Sequence, residues 1–285
     1  MPSDEVSKTV LITGCSSGIG RATALHLASC GWRVVATARR VEGLDDLKSA
    51  GCSLLALDVT DEASMQAAVA EVERSDGGVG VLVNNAGYSQ GGAIETVPMK
   101  LVERQFATNV FGTVRMCQLV LPGMRRQRWG KIVNIGSMGG KLTFPGGGYY
   151  HATKYALEAI TDALRFEVKG FGVDAILIEP GLIRTQFSDT AAASIADGAP
   201  SDDPYANFNA ATAKATRHAY EDGPLVRLGG GPEAVAQTIE RAISSDYPRA
   251  RYTVTPSAEL MIGLRRALTD RVWDGFLARQ FPRPK

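Results

Sequence analysis

Short runs rich in valine, isoleucine and leucine alternate, over the first two-thirds of the chain, with stretches whose apolar residues recur every three or four positions. The runs at 9–13, 33–38, 53–57, 79–83, 131–135 and 173–178 predict strands, because β-branched residues bounded by turn formers suit a buried sheet. The stretches between them, 19–29, 41–50, 62–75, 99–126 and 149–170, carry helical spacing. Strand–helix alternation with short connections predicts a parallel sheet covered by helices on both faces. The pattern breaks at 188–224, a segment rich in Ala, Asp, Gly, Pro and Ser that predicts an irregular loop enclosing a short helix. An insertion of that length in a compact domain reads as a lid or as a partly disordered segment. Pro232 then opens a helix through Ser244, a strand at 251–254 follows, and 257–280 predicts one C-terminal helix. The sum is an α/β protein: one doubly wound domain over 1–285, with a mostly parallel seven-stranded sheet.

Composition narrows this picture without redrawing it. The chain has 285 residues, enough for a sizeable core, and a formal charge of +1. So small a charge gives no electrostatic reason to expect nucleic acid or an anionic membrane surface. Cys15, Cys30, Cys52 and Cys117 are scattered, and His26, His151 and His218 show no ligand spacing, so no metal site is expected. Residues 1–5 lack the layout of a signal peptide, and no apolar run approaches the ~18 residues of a membrane span. A soluble, cytoplasmic protein is expected.

Candidate chemistry gathers at two places. Tyr150 and Lys154 stand four residues apart on the predicted 149–170 helix, hence on one face and about a turn apart. A phenol titrates near 10, and a nearby ammonium favours the phenolate, which pulls that value towards the range useful for acid–base catalysis. His151, about 100° further round the helix, is expected to face away from Ser137. Ser137 ends the fifth predicted strand, at the carboxyl edge where open α/β sheets bind ligands. At the start of the chain, the first strand runs into Thr13-Gly14-Cys15-Ser16-Ser17-Gly18-Ile19-Gly20 and at once into a helix. Gly14, Gly18 and Gly20 allow a tight turn and close approach to a ligand, and the helix N-terminus beyond suits a pyrophosphate.

With T-G-x-x-x-G-x-G after the first strand and Y-x-x-x-K behind Ser137, the chain resembles the short-chain dehydrogenase/reductase family across roughly residues 9–185. In overall look it is similar to steroid- and retinoid-type members. The resemblance implies a Rossmann domain whose nucleotide loop includes Gly14, Ser16, Ser17, Gly18, Ile19 and Gly20. NAD-dependent relatives carry Asp at the end of the second strand; here Ala38 stands there and Arg39 follows, so NADP(H) is expected over NAD(H). Asp58 and Val59 are expected at the adenine, and Asn84, Ala86 and Gly87 at the floor of the cofactor cleft. Pro180, Gly181, Ile183 and Thr185 match the stretch that clamps the nicotinamide carboxamide.

The resemblance also assigns four catalytic residues. Tyr150 exchanges a proton with the substrate oxygen, and Lys154 lowers the Tyr150 pKa and holds the nicotinamide ribose. Ser137 hydrogen-bonds the carbonyl oxygen. Asn109 interrupts its helix and holds a water that links Lys154 to solvent. The expected reaction is hydride transfer between NADP(H) and a carbonyl or secondary alcohol. The expected substrate is small and hydrophobic, in a pocket lined by Tyr88, Met138, Leu142, Phe144, Leu182, Phe187 and parts of 188–224. Family members commonly pair through helices matching 99–126 and 149–170, which implies a homodimer or homotetramer. Two other readings use the same residues: a non-catalytic NADP(H)-sensing regulator, and epimerase or dehydratase chemistry with retained cofactor.

Overall fold

The computed structural model describes residues 6–196, 203–223 and 225–284, so residues 1–5 and, within the insertion, 197–202 and 224 lie outside the described residues. All seven predicted strands form: β1 Val10–Ile12, β2 Val34–Ala38, β3 Ser53–Ala56, β4 Val81–Asn84, β5 Gly130–Ile135, β6 Val173–Pro180 and β7 Arg251–Val254. They make one sheet in the order β3-β2-β1-β4-β5-β6-β7, with every pairing parallel. After β3 the chain returns to the far side of β1, placing β4 beside it. The order reverses between β1 and β4, and a ligand crevice opens beyond the carboxyl ends at such a reversal.

Period-two alternation within each strand feeds two cores. Val10 and Ile12 pack with Leu27, Ile176, Val235 and Ile239, beneath α1 Gly18–Ser29 and a later helix at Pro232–Ser244. Leu11, Leu82 and Ile132 face the other way, onto Met65, Val69, Met116 and Val120. A third cluster joins Met138, Leu142 and Leu182 to Met261 and Trp273 near the C-terminus.

Four predicted segments come out differently. The 41–50 stretch yields only α2 Asp45–Ser49, whereas 62–75 forms α3 Glu62–Asp76, started by Asp61 accepting from the Ala63 amide and ended by left-handed Gly77. The single helix expected over 99–126 is α4 Met99–Phe106, a π-helical segment Ala107–Gly112 and α5 Thr113–Gln127; Asn109 lies in the π segment, so the expected interruption is present. The 188–224 insertion is no irregular loop around one short helix. After α6 Gly148–Val168 and β6 it builds α7 Phe187–Ala196 and α8 Ala206–Glu221, since its alanines, strong helix formers, fall mainly inside those two spans. Finally, α9 Pro232–Ser244 matches, but the terminal helix is two: α10 Pro256–Ala267 and α11 Asp270–Leu277, broken where Leu268 and Thr269 turn extended.

Candidate functional site

The nucleotide loop is held from behind by the residues that follow β1 and β4, Thr13 and Asn85. The Thr13 hydroxyl accepts from the Asn85 and Ala86 amides, each at 3.0 Å, while Asn85 Nδ2 donates to the Thr13 and Gly14 carbonyls at 2.9 and 3.0 Å. Gly14 has φ +75°, and a Cβ on it would stand 2.9 Å from Ala86 Cα. A Cβ on Gly20 would lie 2.3 Å from the Gly14 carbonyl oxygen, so that glycine serves the seating of α1 on its own loop. Ser17 precedes α1 without capping it through its side chain, which leaves first-turn N–H groups free for an anion.

A cleft of about 650 Å³ runs from this loop across the carboxyl ends of the strands. Gly14, Ser16, Ser17, Gly18 and Ile19 line one wall, with Arg39, Asp58 and Val59 at the near end. Ala86 and Gly87 form the floor, and Pro180, Gly181, Ile183 and Thr185 stand opposite, Thr185 Cβ lying 3.5 Å from where a Gly18 Cβ would be. Ser137, Tyr150 and Lys154 share the far end. The free helix N-terminus, the side-chain-free approach and the elongated cleft together fit a dinucleotide.

Three expected site residues do not line the cleft. Gly20 sits behind the loop, as above. Asn84 is buried in the sheet, where its amide donates to Asn134 Oδ1 at 2.9 Å and to Cys117 Sγ at 3.3 Å; it steadies β4 on β5, and its neighbour Asn85 faces the loop instead. Asn109 is buried, with Nδ2 donating to the Tyr88 carbonyl at 2.9 Å and to Thr153 Oγ1 at 3.1 Å, while Oδ1 accepts from the Tyr88 amide. Its amide joins the β4 loop to α6.

The electrostatics of the acid–base pair also depart from expectation. Lys154 Nζ donates to the Ile135 carbonyl at 2.7 Å and lies 5.7 Å from the Tyr150 ring centre. Burial pulls the Lys154 pKa down to about 8. Burial raises the Tyr150 phenol above its ordinary value, the Tyr220 phenol adds to the rise, and a hydrogen bond with Ser137 opposes it. In the protein alone, desolvation therefore leaves the phenol raised rather than depressed. Ser137 Oγ also accepts from the Gly139 amide at 3.0 Å, which fixes the turn that follows.

Sequence reasoning missed Asn85, Arg104 and Gln90, and gave Thr190, Ser194 and Tyr220 only as unnamed parts of 188–224; all six line the cleft. Burial would raise the Asp58 pKa, but hydrogen bonds from Thr60, with smaller help from the Arg39 and Arg104 charges, hold it below its ordinary value. Asn85 stands beside Asn84 in the run Asn84-Asn85-Ala86-Gly87, where strand alternation could have picked it over Asn84. Nothing local marks Tyr220, which arrives from the insertion. The apolar residues Met138, Leu142, Phe144 and Leu182, expected in the pocket, belong instead to the cluster under α10 and α11; only Tyr88 and Phe187 of that set line the cleft. His151 does not face away from the Ser137 turn. Its Nδ1 lies 3.0 Å from the Gly139 carbonyl, and its Nε2 accepts from the Phe144 amide at 3.2 Å, which fixes a neutral ring; burial lowers its pKa to about 4. Among the described residues no group of His, Cys, Asp and Glu could hold a metal, and no helix is long and apolar enough to cross a membrane.

Comparison with known proteins agrees with this geometry. The profile of the short chain dehydrogenase family matches residues 8–195. An uncharacterized oxidoreductase of Escherichia coli, YbbO, is 36% identical over 273 residues, covering 95% of this chain and 94% of that one. An NADPH-dependent 3-dehydrocapnine reductase of Ornithobacterium rhinotracheale is 33% identical over 93% of this chain and 94% of its own. Among solved structures, a short-chain dehydrogenase of Streptomyces avermitilis superposes with TM-score 0.76 at 35% identity, covering 95% of this chain and 98% of that one. A serine dehydrogenase bound to NADP+ gives 0.73 at 29% identity (87% and 94% covered), and a Burkholderia phymatum relative bound to NAD gives 0.78 at 27% (92% and 93%).

Proposed function

The chain belongs to the short chain dehydrogenase family and is an oxidoreductase; from that premise we propose that it transfers hydride between NADP(H) and a ketone or secondary alcohol. The observation that carries this reading is the convergence of Ser137, Tyr150 and Lys154 on the cleft that the nucleotide loop opens. When bound, the dinucleotide supplies or accepts the hydride. The protein binds it through the first turn of α1 and the clamp at Pro180–Thr185 sites 180, 181, 183 and 185, and orients the substrate oxygen between Ser137 and Tyr150. Tyr150 then gives that oxygen its proton in reduction, or takes it in oxidation. The raised phenol suits the donor role at neutral pH.

Preference for NADP(H) is supported by the absence of an acid at Ala38 and by two guanidiniums, Arg39 and Arg104, at the adenosine end. The NADPH-dependent relative agrees, while the NAD-bound neighbour shows that the fold takes either dinucleotide. The cleft around the reacting end combines Tyr88, Phe187 and Tyr220 with Gln90, Thr190 and Ser194. A ketone with an apolar body and an additional hydrogen-bonding group suits such walls better than a plain hydrocarbon ketone. The test is NADPH consumption across ketones and aldehydes of both kinds, with NADH as comparator. Turnover abolished by Tyr150→Phe supports the reading; cofactor binding with no turnover of any carbonyl would overturn it in favour of a sensor.

A further inference from the structure

Behind the catalytic residues, on the side away from the cleft, lies a buried ionic cluster that the chemistry above does not use. Glu158 follows Lys154 by one turn of α6, and Glu179 immediately precedes Pro180 on β6. Their side chains are 8% and 4% exposed, and Glu179 lies within hydrogen-bonding reach of Glu158. Lys141, which leaves the Ser137 turn, is ion-paired to Glu158 Oε2, and Arg251 of β7 reaches the same oxygen at 3.1 Å. Arg251 also binds Asp162 at 2.5 Å, and Asp162 is shared with Arg165. Both half-buried cations are thus spent on Glu158 and Asp162, and each stays 3.8 Å from Glu179 Oε1. Glu179 receives one hydrogen bond, from Thr253 to Oε2 at 3.2 Å. Oε1 of Glu158 and Oε1 of Glu179 are both buried without a hydrogen-bond partner. A buried oxygen left unpaired is costly, and one proton held between two carboxylates satisfies both at once.

The Ser137 turn rests directly on this cluster. A Cβ on Gly140 would stand 2.9 Å from the Lys154 carbonyl oxygen and 3.0 Å from Glu158 Cγ. Lys141, one residue later, is the turn's charged tie to α6. The turn bearing Ser137, the helix bearing Tyr150 and Lys154, and the strand feeding the 180–185 clamp therefore meet at one pair of acids. We propose that Glu158 and Glu179 share a single proton and, with Lys141, act as positioning residues that keep Ser137 in register with Tyr150. The catalytic part of this rests on the proposed hydride chemistry.

The test has two arms. Lys141→Met should lower kcat about tenfold while leaving the KM for NADPH within about twofold, and Lys141→Arg should restore most of it. An unchanged kcat, or a parallel loss of cofactor affinity that Arg does not rescue, overturns the positioning role. The second arm needs no turnover. Burial and Glu158 raise the Glu179 pKa to about 7, so the shared proton stabilises the fold fully below the ordinary carboxyl value, and that stability is lost as pH rises to about 7. His151, packed on the same turn and lowered to about 4, acts in the opposite direction over this range, so the readout is a difference between variants. Glu179→Gln mimics the protonated acid permanently. The melting temperature of the wild type, relative to Glu179→Gln, should drop by about 5 °C between pH 5 and pH 8. Parallel pH profiles for the two proteins overturn the shared proton. Absent turnover would count against the functional reading alone, since this arm still decides the pair.

Discussion

Replacing Lys154 by methionine should make the protein more stable while destroying its activity. The ammonium is buried, 7% exposed, and donates to a single carbonyl, that of Ile135. Its pKa falls from 10.5 to about 8 because burial disfavours the charged form. At 1.36 kcal/mol per unit, keeping it protonated in the fold costs about 3 kcal/mol. Methionine fills similar space without charge but forfeits the Ile135 hydrogen bond, worth roughly 1.5–2 kcal/mol when charge-assisted. The net expectation at pH 7 is a gain of about 1–2 kcal/mol, or roughly 2–4 °C in Tm for a chain of this size. The pH dependence has a definite sign. Below pH 8 both folded and unfolded lysine are protonated and the cost is complete; between 8 and 10.5 only the unfolded state holds the proton, so wild-type stability climbs with pH. Thermal melts of the ligand-free proteins at pH 7, 8.5 and 10 check this, and the advantage of Lys154→Met should vanish by pH 10. A variant less stable than wild type at pH 7, or a difference that ignores pH, would show that Lys154 is not a desolvated cation.

Three other expectations follow from the same coordinates. Ala38→Asp combined with Arg39→Leu supplies a ribose acceptor and removes a phosphate donor, so the ratio of kcat/KM for NADPH over NADH should fall at least tenfold; an unchanged ratio would remove Arg39 from the phosphate site. In Gly20→Ala the new methyl would meet the Gly14 carbonyl at 2.3 Å and Asn85 Nδ2 at 2.4 Å, so calorimetric titration should show at least a tenfold loss of cofactor affinity, with a Tm drop of several degrees. Phe166 on α6 is 89% exposed and Phe111, in the π segment, 63%, on the two stretches expected to pair subunits. If they meet a second copy, Phe166→Glu should shift the sedimentation coefficient towards that of the monomer, and an unshifted value would place any subunit contact elsewhere.

What was legible in the sequence divides along a physical line. Strands announced themselves because a buried parallel sheet demands unbroken apolar runs, and the nucleotide loop because positive φ at Gly14 and Gly18 leaves few alternatives. Helical pattern was less decisive. The apolar stripe from 99 to 126 continues through a π segment that changes hydrogen bonding without interrupting periodicity, and the break at Leu268 carries neither Gly nor Pro. Inside the site, motif spacing made Ser137, Tyr150 and Lys154 readable, whereas which of two like neighbours faces the cleft depended on distant partners. Asn84 and Asn85 look alike in the sequence, yet Asn134 claims one and Thr13 the other. The same limit explains the acid–base pair. Four residues of helix bring Lys154 to the face of Tyr150, which suggests a depressed phenol; the α7 and α8 insertion, with Phe187 at 5.4 Å from the Tyr150 ring and the Tyr220 phenol acting on it, covers Tyr150, whose pKa rises instead. Spacing gives proximity, but the dielectric around a pair is set by whatever the remainder of the chain lays over it. Over Tyr150 part of that cover comes from the insertion, so α7 and α8, which line the cleft, also tune its proposed acid, and substitutions in α8 should move the pH profile of catalysis as well as substrate choice.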